Sequence, residues 1–503
     1  MNLSSGINSG YTVPSMWYAR WLTLFTVLSL LALIVIRFLM VFSFDPEFNG
    51  IDNNFVYPVT RMLAGHSIYP DPQQFPFVVN PYAPLLFYVS YFFCKVFGIT
   101  AGDTIQIYYT VRISCLIADL TTLFFLYKIM TRHFNLQRTI ALFAATAFFY
   151  LISYWSYTAM RSDSFLLMWY GIIVYLLFQY ISRPSQLYLI GIVLGCTAAL
   201  ISKQTAIYFP FMIAVILLLL KHYKNALLIL LYWILLCGLV IWLLSKSYPD
   251  GNLFNHLVKA LNNRLDPHWF YLNIFKRLAQ EFTVIPFCLG CYAAFLYLFR
   301  SDDQKVRALS AAAMISVGFA LIISFKWGSG VGYLQEGMLT ITCLLAYTVS
   351  LLSRKTLERG IFPVIVIASV IFLHILIQLY LYHLNDRYEN FHIYQAQKKI
   401  ATMLLQEIGT KDEYVYADDV NGTFFKNFLY EKLVLPNKDA VDCCTLPDGN
   451  FNYSLLRDGF KSGKIKFLVF HQQFSPTQFH DISFDHYKKW RNEEGFDIYI
   501  FRD

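Results

Sequence analysis

Residues 44–70 read FDPEFNGIDNNFVYPVTRMLAGHSIYP and bring acidic, amide, aromatic and basic residues together in a largely apolar chain. An apolar run at residues 21–43 precedes them, and another follows at residues 105–130, after a shorter aromatic run at residues 84–98. The two long runs have the length that crosses a bilayer, so residues 44–104 form a loop between two predicted spans. A loop of about 60 residues is much longer than a connection between helices requires, which indicates a function at the membrane surface.

The composition places most of the chain in lipid. Of its 503 residues, 57% are hydrophobic, 18% are aromatic and only 14% are charged. A soluble domain carries about 25% charged residues. The net charge of +8 is typical of basic cytoplasmic loops in a multi-pass protein, and it does not require a nucleic-acid partner.

Apolar runs of membrane-spanning length recur along the chain. About eleven transmembrane helices are predicted, at residues 21–43, 105–130, 138–157, 164–181, 186–202, 205–220, 226–245, 280–299, 308–325, 337–353 and 361–383. The run at 84–98 is short and contains Lys95, so we expect an interfacial or re-entrant helix there. With this assignment and a cytoplasmic N-terminus, the basic loops collect on the cytoplasmic side, as the positive-inside rule requires.

The polar tail at residues 385–503 is then extracytoplasmic. It contains a helix-like stretch at residues 396–408. Strand-like runs occur at residues 413–417, 465–470 and 496–501. We therefore predict a mainly α polytopic membrane domain at residues 1–384, with its long first outer loop at 44–104, and a small α/β extracytoplasmic domain at 385–503.

Polar and ionisable side chains gather at the predicted outer face of the membrane. They are Asp52 and Arg61 in the first loop, Arg112 in the second span, Asp163 before the fourth, Lys203 after the fifth, Arg264 in the loop at 246–279, and Tyr333 and Glu336 in the loop at 326–336. Charges at membrane depth are costly and usually face a protein interior or a wet cavity. Cations and carboxylates around one vestibule suit a site that activates a nucleophile and holds an anionic lipid phosphate.

Several of these residues also have a purely structural interpretation, which the sequence leaves open. Asp52 is a common turn residue. Lys203 stands at a helix end, where lysines often extend their ammonium groups toward water. Asp163 is a candidate N-cap of the fourth span.

Other polar residues are expected to have no catalytic role. Arg37, near the end of the first span, is expected to extend toward the membrane surface. Asp119, deep in the second span, is either a neutral packing residue or a partner for a neighbouring helix. His66, His256 and His268 lack the spacing of metal ligands, so no metal site is predicted.

The order of these motifs resembles the GT-C superfamily of polyprenyl-phosphate-dependent glycosyltransferases, which includes protein O-mannosyltransferases and lipid A aminoarabinose transferases. Ile51-Asp52 resembles the acidic motif of the family's first outer loop, and Tyr82-Ala83-Pro84-Leu85 resembles the turn that follows it. Arg161-Ser162-Asp163, Lys203-Gln204-Thr205 and Tyr333-Leu334-Gln335-Glu336 resemble later motifs. The chain departs from the family where Asn53 replaces a frequent Glu and where Ala83 replaces a frequent Pro.

The resemblance implies a GT-C fold and an inverting glycosyltransferase whose site faces outward. Asp52 is the implied catalytic residue, acting as general base on the acceptor. The implied donor-phosphate ligands are Lys203, Arg112 and Arg264. The implied substrate-binding residues are Arg61, Tyr82, Asp163, Tyr333 and Glu336.

The same resemblance implies the reactants and the location. The donor is a polyprenyl-phosphate sugar, the acceptor is a glycan, lipid or protein, and neither a metal nor another cofactor takes part. Resemblance of the tail to those of bacterial members favours a bacterial cytoplasmic (inner) membrane.

Three alternatives remain open from the sequence. A lipid-linked oligosaccharide ligase of the same superfamily would move a whole glycan and would often need a divalent ion. A polytopic transporter or flippase would show internal repeats and polar helix pairs at the bilayer midplane. A non-catalytic membrane subunit would leave the chemistry to the tail, which carries no motif of its own for it.

Overall fold

The computed structural model describes a defined part of the chain. The described residues are 17–46, 53–156, 160–248, 251–261, 265–280, 283–351, 367, 370–377, 390–409, 411–417, 423–436, 451–471 and 483–502. Asp52 and Arg264 lie outside these ranges. Both therefore remain candidate residues from the sequence alone.

The described chain is mainly helical. Its helices up to residue 351 are α1 Trp17–Val41, α2 Asn53–Leu63, α3 Leu85–Val96, α4 Thr104–Lys128, α5 Arg138–Ser156, α6 Ser162–Ser182, α7 Gln186–Ser202, α8 Phe209–Leu219, α9 Tyr223–Ser247, α10 Asn252–Leu257, α11 Pro267–Phe270, α12 Lys276–Gln280, α13 Val284–Arg300, α14 Gln304–Ile323 and α15 Gln335–Ser350. Each predicted span from 21–43 to 337–353 coincides with a helix. The last predicted span, at 361–383, is described only in part, where residues 370–377 are helical.

The number of membrane crossings stays a prediction. Among the described residues, 5 helices are long and apolar enough to cross a membrane by themselves. The number becomes 6 if the bent pair Pro267–Gln280 and Val284–Arg300 forms one span. Shorter apolar helices at Arg138–Ser153, Gln186–Ser202 and Gln204–Leu219 coincide with three more of the predicted spans.

The run at 84–98 forms α3, as predicted, and this helix packs against α2 and α4. Its inner face buries Leu86, Phe87 and Cys94 completely. Phe92 and Val96 on the other face are 61% and 60% exposed. One buried and one exposed apolar face suit a helix lying at the membrane interface, and this position stays a prediction.

Arg37 does not extend toward the membrane surface, so that prediction is wrong. Its guanidinium pairs with the carboxylate of Asp119 on α4, and the two side chains are only 3% and 5% exposed. The same guanidinium donates a hydrogen bond to Ser153 on α5. Of the two interpretations of Asp119, the partner for a neighbouring helix is correct. A buried charge pair of this kind ties three helices together where neither charge can reach water.

The largest core lies between the helices that follow α4. The extensive contacts are those of α6 with α7 and of α14 with α13 and α15. Helix α13 packs against α15 at Gly290, where a Cβ atom would lie 2.1 Å from Cγ2 of Ile341. Only a glycine permits this spacing of the two helices.

The C-terminal residues form a small sheet with helices, as predicted. The elements are α16 Phe391–Ile408, β1 Tyr414–Ala417, α17 Phe425–Phe428, α18 Ser454–Lys461, β2 Ile465–Phe470, β3 Tyr487–Glu493 and β4 Phe496–Phe501. The strand order is β1-β2-β4-β3, with β1 parallel to β2 and the other pairs antiparallel. Strand β3 lies outside the predicted strands because its YKKWRNE sequence is largely charged and exposed.

The sheet shares a core with the first outer loop. Phe77 and Val79 of that loop are buried in one cluster with Tyr416 and Leu468 of the sheet. The other face of the sheet packs on α16 in a cluster built from C-terminal residues. The loop and the C-terminal residues thus form one packed unit, and the predicted domain boundary near residue 385 stays a prediction.

Candidate active site

A lysine–carboxylate pair joins the ends of α6 and α7. The Nζ atom of Lys203 lies 2.7 Å from Oδ1 of Asp163, and Nε of Arg161 lies 4.0 Å from Oδ2. Lys203 has extended backbone between α7 and a 3-10 turn at Gln204–Tyr208, so its side chain leaves the helix axis. Asp163 lies in the first turn of α6, where the helix dipole favours a negative charge. The two helix ends therefore place two cations on one carboxylate.

A second pair of predicted residues lies against this cluster. A 3-10 turn at Val331–Leu334 leads into α15 and carries Tyr333. The ammonium group of Lys203 lies 4.5 Å from the centre of the Tyr333 ring, within the range of a cation–π contact. Glu336 is buried in the first turn of α15 and interacts electrostatically with both Lys203 and Asp163. The structure thus brings Asp163, Lys203, Tyr333 and Glu336 together from three distant parts of the chain.

Gln204 connects this cluster to the first outer loop. Its Nε2 donates a hydrogen bond of 2.7 Å to the carbonyl oxygen of Pro81. The next residue, Tyr82, accepts a 2.6 Å hydrogen bond from the Tyr69 hydroxyl on its carbonyl oxygen. The Tyr82 ring lies 4.5 Å from the ring of Phe55 on α2, measured between centres. Tyr82 therefore stands where the loop meets the Lys203 cluster.

Arg112 and Arg61, which the sequence analysis predicts as ligands of the donor phosphate and the substrate, donate hydrogen bonds to backbone carbonyl groups in and beside the first outer loop. Arg112 is fully buried and donates hydrogen bonds to the carbonyl oxygens of Ser43, at 2.6 Å, and Asp45. Nε of Arg61 donates to the carbonyl oxygen of Ser67 at 3.0 Å. Their predicted contacts with donor phosphate and substrate stay predictions.

His256 ties the loop after α9 to the first outer loop. Its Nδ1 accepts a 2.9 Å hydrogen bond from the backbone N–H of Asn80, and its Nε2 lies 2.6 Å from the carbonyl oxygen of Pro70. This network assigns the proton of the neutral ring to Nε2. Burial lowers the pKa of His256 to about 4, more strongly than the hydrogen bond to Pro70 and the charge of Asp71 raise it. His256 is thus a neutral structural histidine.

Two residues of α17 in the C-terminal part contact the first loop and α4, and they were not predicted from the sequence. Lys426 is fully buried, and its Nζ donates a 3.0 Å hydrogen bond to Oδ1 of Asn54 in α2. Asn427 donates from Nδ2 to the Tyr108 hydroxyl at 3.0 Å. The available signal was a lysine within the aromatic run FFKNF. Nothing in that run indicates which distant loop it contacts.

Among the described residues, no group of three or more His, Cys, Asp or Glu side chains is arranged to hold a metal ion. The acidic and basic groups described above are mostly paired with one another. The expectation of a metal-free site stays a prediction.

Comparison with known proteins supports the resemblance seen in the motifs. Residues 81–247 match the sequence profile of the family described as dolichyl-phosphate-mannose-protein mannosyltransferase. The matched segment contains Tyr82, Arg112, Asp163 and Lys203. No match to the curated protein sequences reaches significance.

The fold is similar to two solved enzymes. ArnT from Cupriavidus metallidurans, in its crystal structure bound to undecaprenyl phosphate, matches with a TM-score of 0.64 and 13% identity, over 95% of this chain and 98% of that one. The Archaeoglobus fulgidus oligosaccharyltransferase tethered to an acceptor peptide matches with a TM-score of 0.56 and 12% identity, over 89% of this chain and 69% of that one. The same archaeal enzyme, AglB, in complex with an inhibitory peptide and a dolichol-phosphate, gives a TM-score of 0.55. At these identities the likeness is one of fold.

Proposed function

We propose that this chain is a multi-pass membrane glycosyltransferase of the GT-C superfamily, which transfers a sugar from a polyprenyl-phosphate carrier to an acceptor hydroxyl. The match of residues 81–247 to the mannosyltransferase family and the similarity of the fold to that of ArnT support the proposal. The observation that carries the proposal is the Lys203–Asp163–Tyr333–Glu336 cluster and its link to the first outer loop through Gln204. A cationic group, carboxylates and an aromatic ring beside a polar loop match what a sugar phosphate requires.

In the proposed reaction Lys203 binds the phosphate of the donor. Negative charge develops on that phosphate as the bond from the anomeric carbon to the phosphate oxygen breaks, so a fixed cation stabilises the transition state. Asp163 holds one of the three N–H donors of Lys203 and orients the others. Arg161, Arg112 and Arg264 are further candidates for the phosphate, and Arg161 is the one described beside Asp163.

Asp52 is the proposed general base. The acceptor oxygen forms the new bond to the anomeric carbon, its proton passes to the Asp52 carboxylate, and polyprenyl phosphate leaves with the electron pair of the broken bond. This single displacement inverts the anomeric carbon. Arg61, Tyr82, Tyr333 and Glu336 are proposed to bind the sugar or the acceptor.

We place the site on the extracytoplasmic side of the membrane, because the positive-inside rule puts the first loop there. Transfer of one sugar is favoured over transfer of a whole glycan. The preference for a single sugar rests on how much of each known enzyme this chain matches, which is 98% of ArnT but 69% of the archaeal oligosaccharyltransferase. A bacterial inner membrane remains the proposed location.

The test uses the purified full-length protein in lipid nanodiscs with a panel of polyprenyl-phosphate sugars and lipid, glycan and peptide acceptors. Mass spectrometry follows loss of donor and gain of glycosylated acceptor. We expect one donor to be consumed, and consumption of none of them would refute the proposal. Replacing Asp52→Asn should abolish transfer in a folded protein that still binds the donor.

Lys203→Met should lower kcat by roughly a hundredfold, because one group that stabilises the departing charge is lost. Lys128→Met is the matched control. Lys128 also lies over an aromatic ring, 5.3 Å from the centre of Phe124, but in the last turn of α4. Equal losses in the two variants would remove Lys203 from the proposed site.

A further inference from the structure

The first residue of α15 carries a buried amide group for which the described part of the chain supplies no hydrogen-bond partner. Gln335 is only 4% exposed, and its Nε2 makes no hydrogen bond to any described residue. A buried N–H group without a partner costs free energy, and nearly all such groups in native proteins are satisfied. The amide of Gln335 is therefore placed to bind a polar group that comes from outside the chain.

Gly332 leaves an open position beside this amide. A Cβ atom added at Gly332 would lie 3.6 Å from Nε2 of Gln335 and 3.8 Å from Oδ1 of Asp163. Both distances are ordinary van der Waals contacts, so a group of about methyl size fits there without displacing either residue. The backbone N–H of Gln335 donates to the carbonyl oxygen of Gly332, which fixes the turn that leads into α15. An amide and a carboxylate therefore border one open position.

This position adjoins the lysine that is proposed to bind the donor phosphate. Oδ1 of Asp163 is the oxygen to which Nζ of Lys203 donates, at 2.7 Å. An ionised carboxylate oxygen has two lone pairs, so Oδ1 can accept a second hydrogen bond while it holds the lysine. Gly332 and Tyr333 are partly exposed, in contrast to the buried Gln335. A group at the open position thus meets an N–H donor and a carboxylate acceptor next to the phosphate ligand.

We propose that Gln335 and Asp163 bind the 2-hydroxyl of the transferred sugar at the open position beside Gly332. A hydroxyl can accept from the amide and donate to the carboxylate through the same oxygen atom. The anomeric carbon bears the phosphate, so the hydroxyl on the neighbouring carbon, C2, is the one that reaches this position when Lys203 holds the phosphate. The inference rests on the proposed function and deepens it, because it restricts the donor to sugars with a free hydroxyl on C2.

The test measures binding of donors to the full-length protein in nanodiscs without acceptor, so that no sugar is transferred. The probes are the polyprenyl-phosphate sugars of the panel that have a 2-hydroxyl, each paired with its 2-deoxy analogue. We expect the wild type to bind one 2-hydroxy donor roughly ten- to a hundredfold more tightly than its analogue, because the analogue leaves the amide and the carboxylate unpaired. Equal dissociation constants in every pair would overturn the inference.

Gln335→Leu removes the amide and keeps a side chain of similar length. We expect the preference for the 2-hydroxy donor to fall roughly tenfold, while binding of the 2-deoxy donor changes less than about twofold. A purely structural glutamine would change the binding of both donors equally, and this result would contradict the inference. Gln179→Leu is the matched control, because Gln179 is also buried but its amide donates to the Tyr175 hydroxyl within α6. The control should keep the wild-type preference.

Gly332→Ala keeps the inference testable if Gln335→Leu does not fold. The added methyl group occupies the open position and makes only van der Waals contacts with the protein. We expect the 2-hydroxy donor to bind roughly tenfold more weakly, while binding of the 2-deoxy donor changes less than about twofold. Gly330→Ala is the matched control, because Gly330 directly precedes the same turn and a Cβ atom there would have nothing within 4 Å. Wild-type preference in Gly332→Ala would overturn the inference.

The outcomes separate this inference from the proposed function. A wild-type protein that consumes no donor in the presence of acceptors refutes the proposed function. A wild type that transfers a sugar but binds each 2-deoxy analogue as tightly as its parent refutes the 2-hydroxyl site alone. Selective binding of a 2-hydroxy donor without transfer would support the sugar site and refute the proposed reaction.

Discussion

Acidification from pH 7 toward pH 4 should release the contact that His256 makes between two outer loops. In the folded protein Nδ1 of His256 accepts from the N–H of Asn80, so the ring cannot take up a second proton without losing that hydrogen bond. Burial is the main reason that the pKa of His256 falls to about 4 from the usual 6.5. Protonation therefore competes directly with docking of the loop.

The pKa values give the size and the sign of the effect. The pKa of His256 is about 2.5 units lower in the folded protein than its usual value. At 1.36 kcal/mol per unit, this difference corresponds to roughly 3 kcal/mol of stability for the contact. Because the folded pKa of His256 lies below the unfolded one, the released state binds more protons between pH 6.5 and pH 4. The contact is thus fully stable above about pH 6.5 and loses this stability as the pH falls to about 4.

Hydrogen exchange measured by mass spectrometry is the assay, with rates corrected for the intrinsic pH dependence of exchange. Peptides containing Asn80 and residues 251–261 should lose protection between pH 6.5 and pH 4. His256→Gln, which does not titrate, should show protection that is independent of pH over this window. His66→Gln is the control, because His66 is exposed and should leave the wild-type pH dependence intact.

Two results would refute the reasoning. Protection of the Asn80 peptide that stays constant in the wild type from pH 7 to pH 4 would show that His256 does not control the contact. The same loss of protection in His256→Gln as in the wild type would assign the pH dependence to another group.

Three further predictions concern the helices and the reaction. Asp119→Asn should lower the free energy of unfolding in detergent by about 3–5 kcal/mol, because it leaves the buried charge of Arg37 without its carboxylate; thermal unfolding measures the change. Gly290→Ala should lower the melting temperature, because the added Cβ would lie 2.1 Å from Cγ2 of Ile341, and Gly290→Ala with Ile341→Ala should recover part of the loss. Transfer activity should persist in excess chelator, because the proposed phosphate ligands are cationic side chains.

For each of these predictions, one experimental result would contradict it. Wild-type stability in Asp119→Asn would mean that the pair with Arg37 contributes nothing to the fold. A double variant at Gly290 and Ile341 that is less stable than either single variant would exclude the steric explanation. Loss of transfer in chelator, restored by a divalent ion, would favour the ligase alternative.

Much of the fold follows from local sequence patterns. The apolar runs predicted the helices because the bilayer requires a fixed length of apolar residues, and every such run up to residues 337–353 is helical. Strand-like runs predicted β1, β2 and β4 but not the charged β3. For the site, the motif order identified Asp163, Lys203, Tyr333 and Glu336, which the fold then brings together.

What the sequence by itself determined is therefore the membrane class, the order of the helices and the residue types of the site. Only the tertiary structure decided the pairing of Arg37 with Asp119, the neutral role of His256 and the position of Lys426 at the beginning of α2. The physical reason is that periodicity reports whether a side chain is buried, whereas its partner depends on which distant surfaces pack together. A lysine in an aromatic run has the same local pattern whether it faces water or is buried against an asparagine 372 positions away.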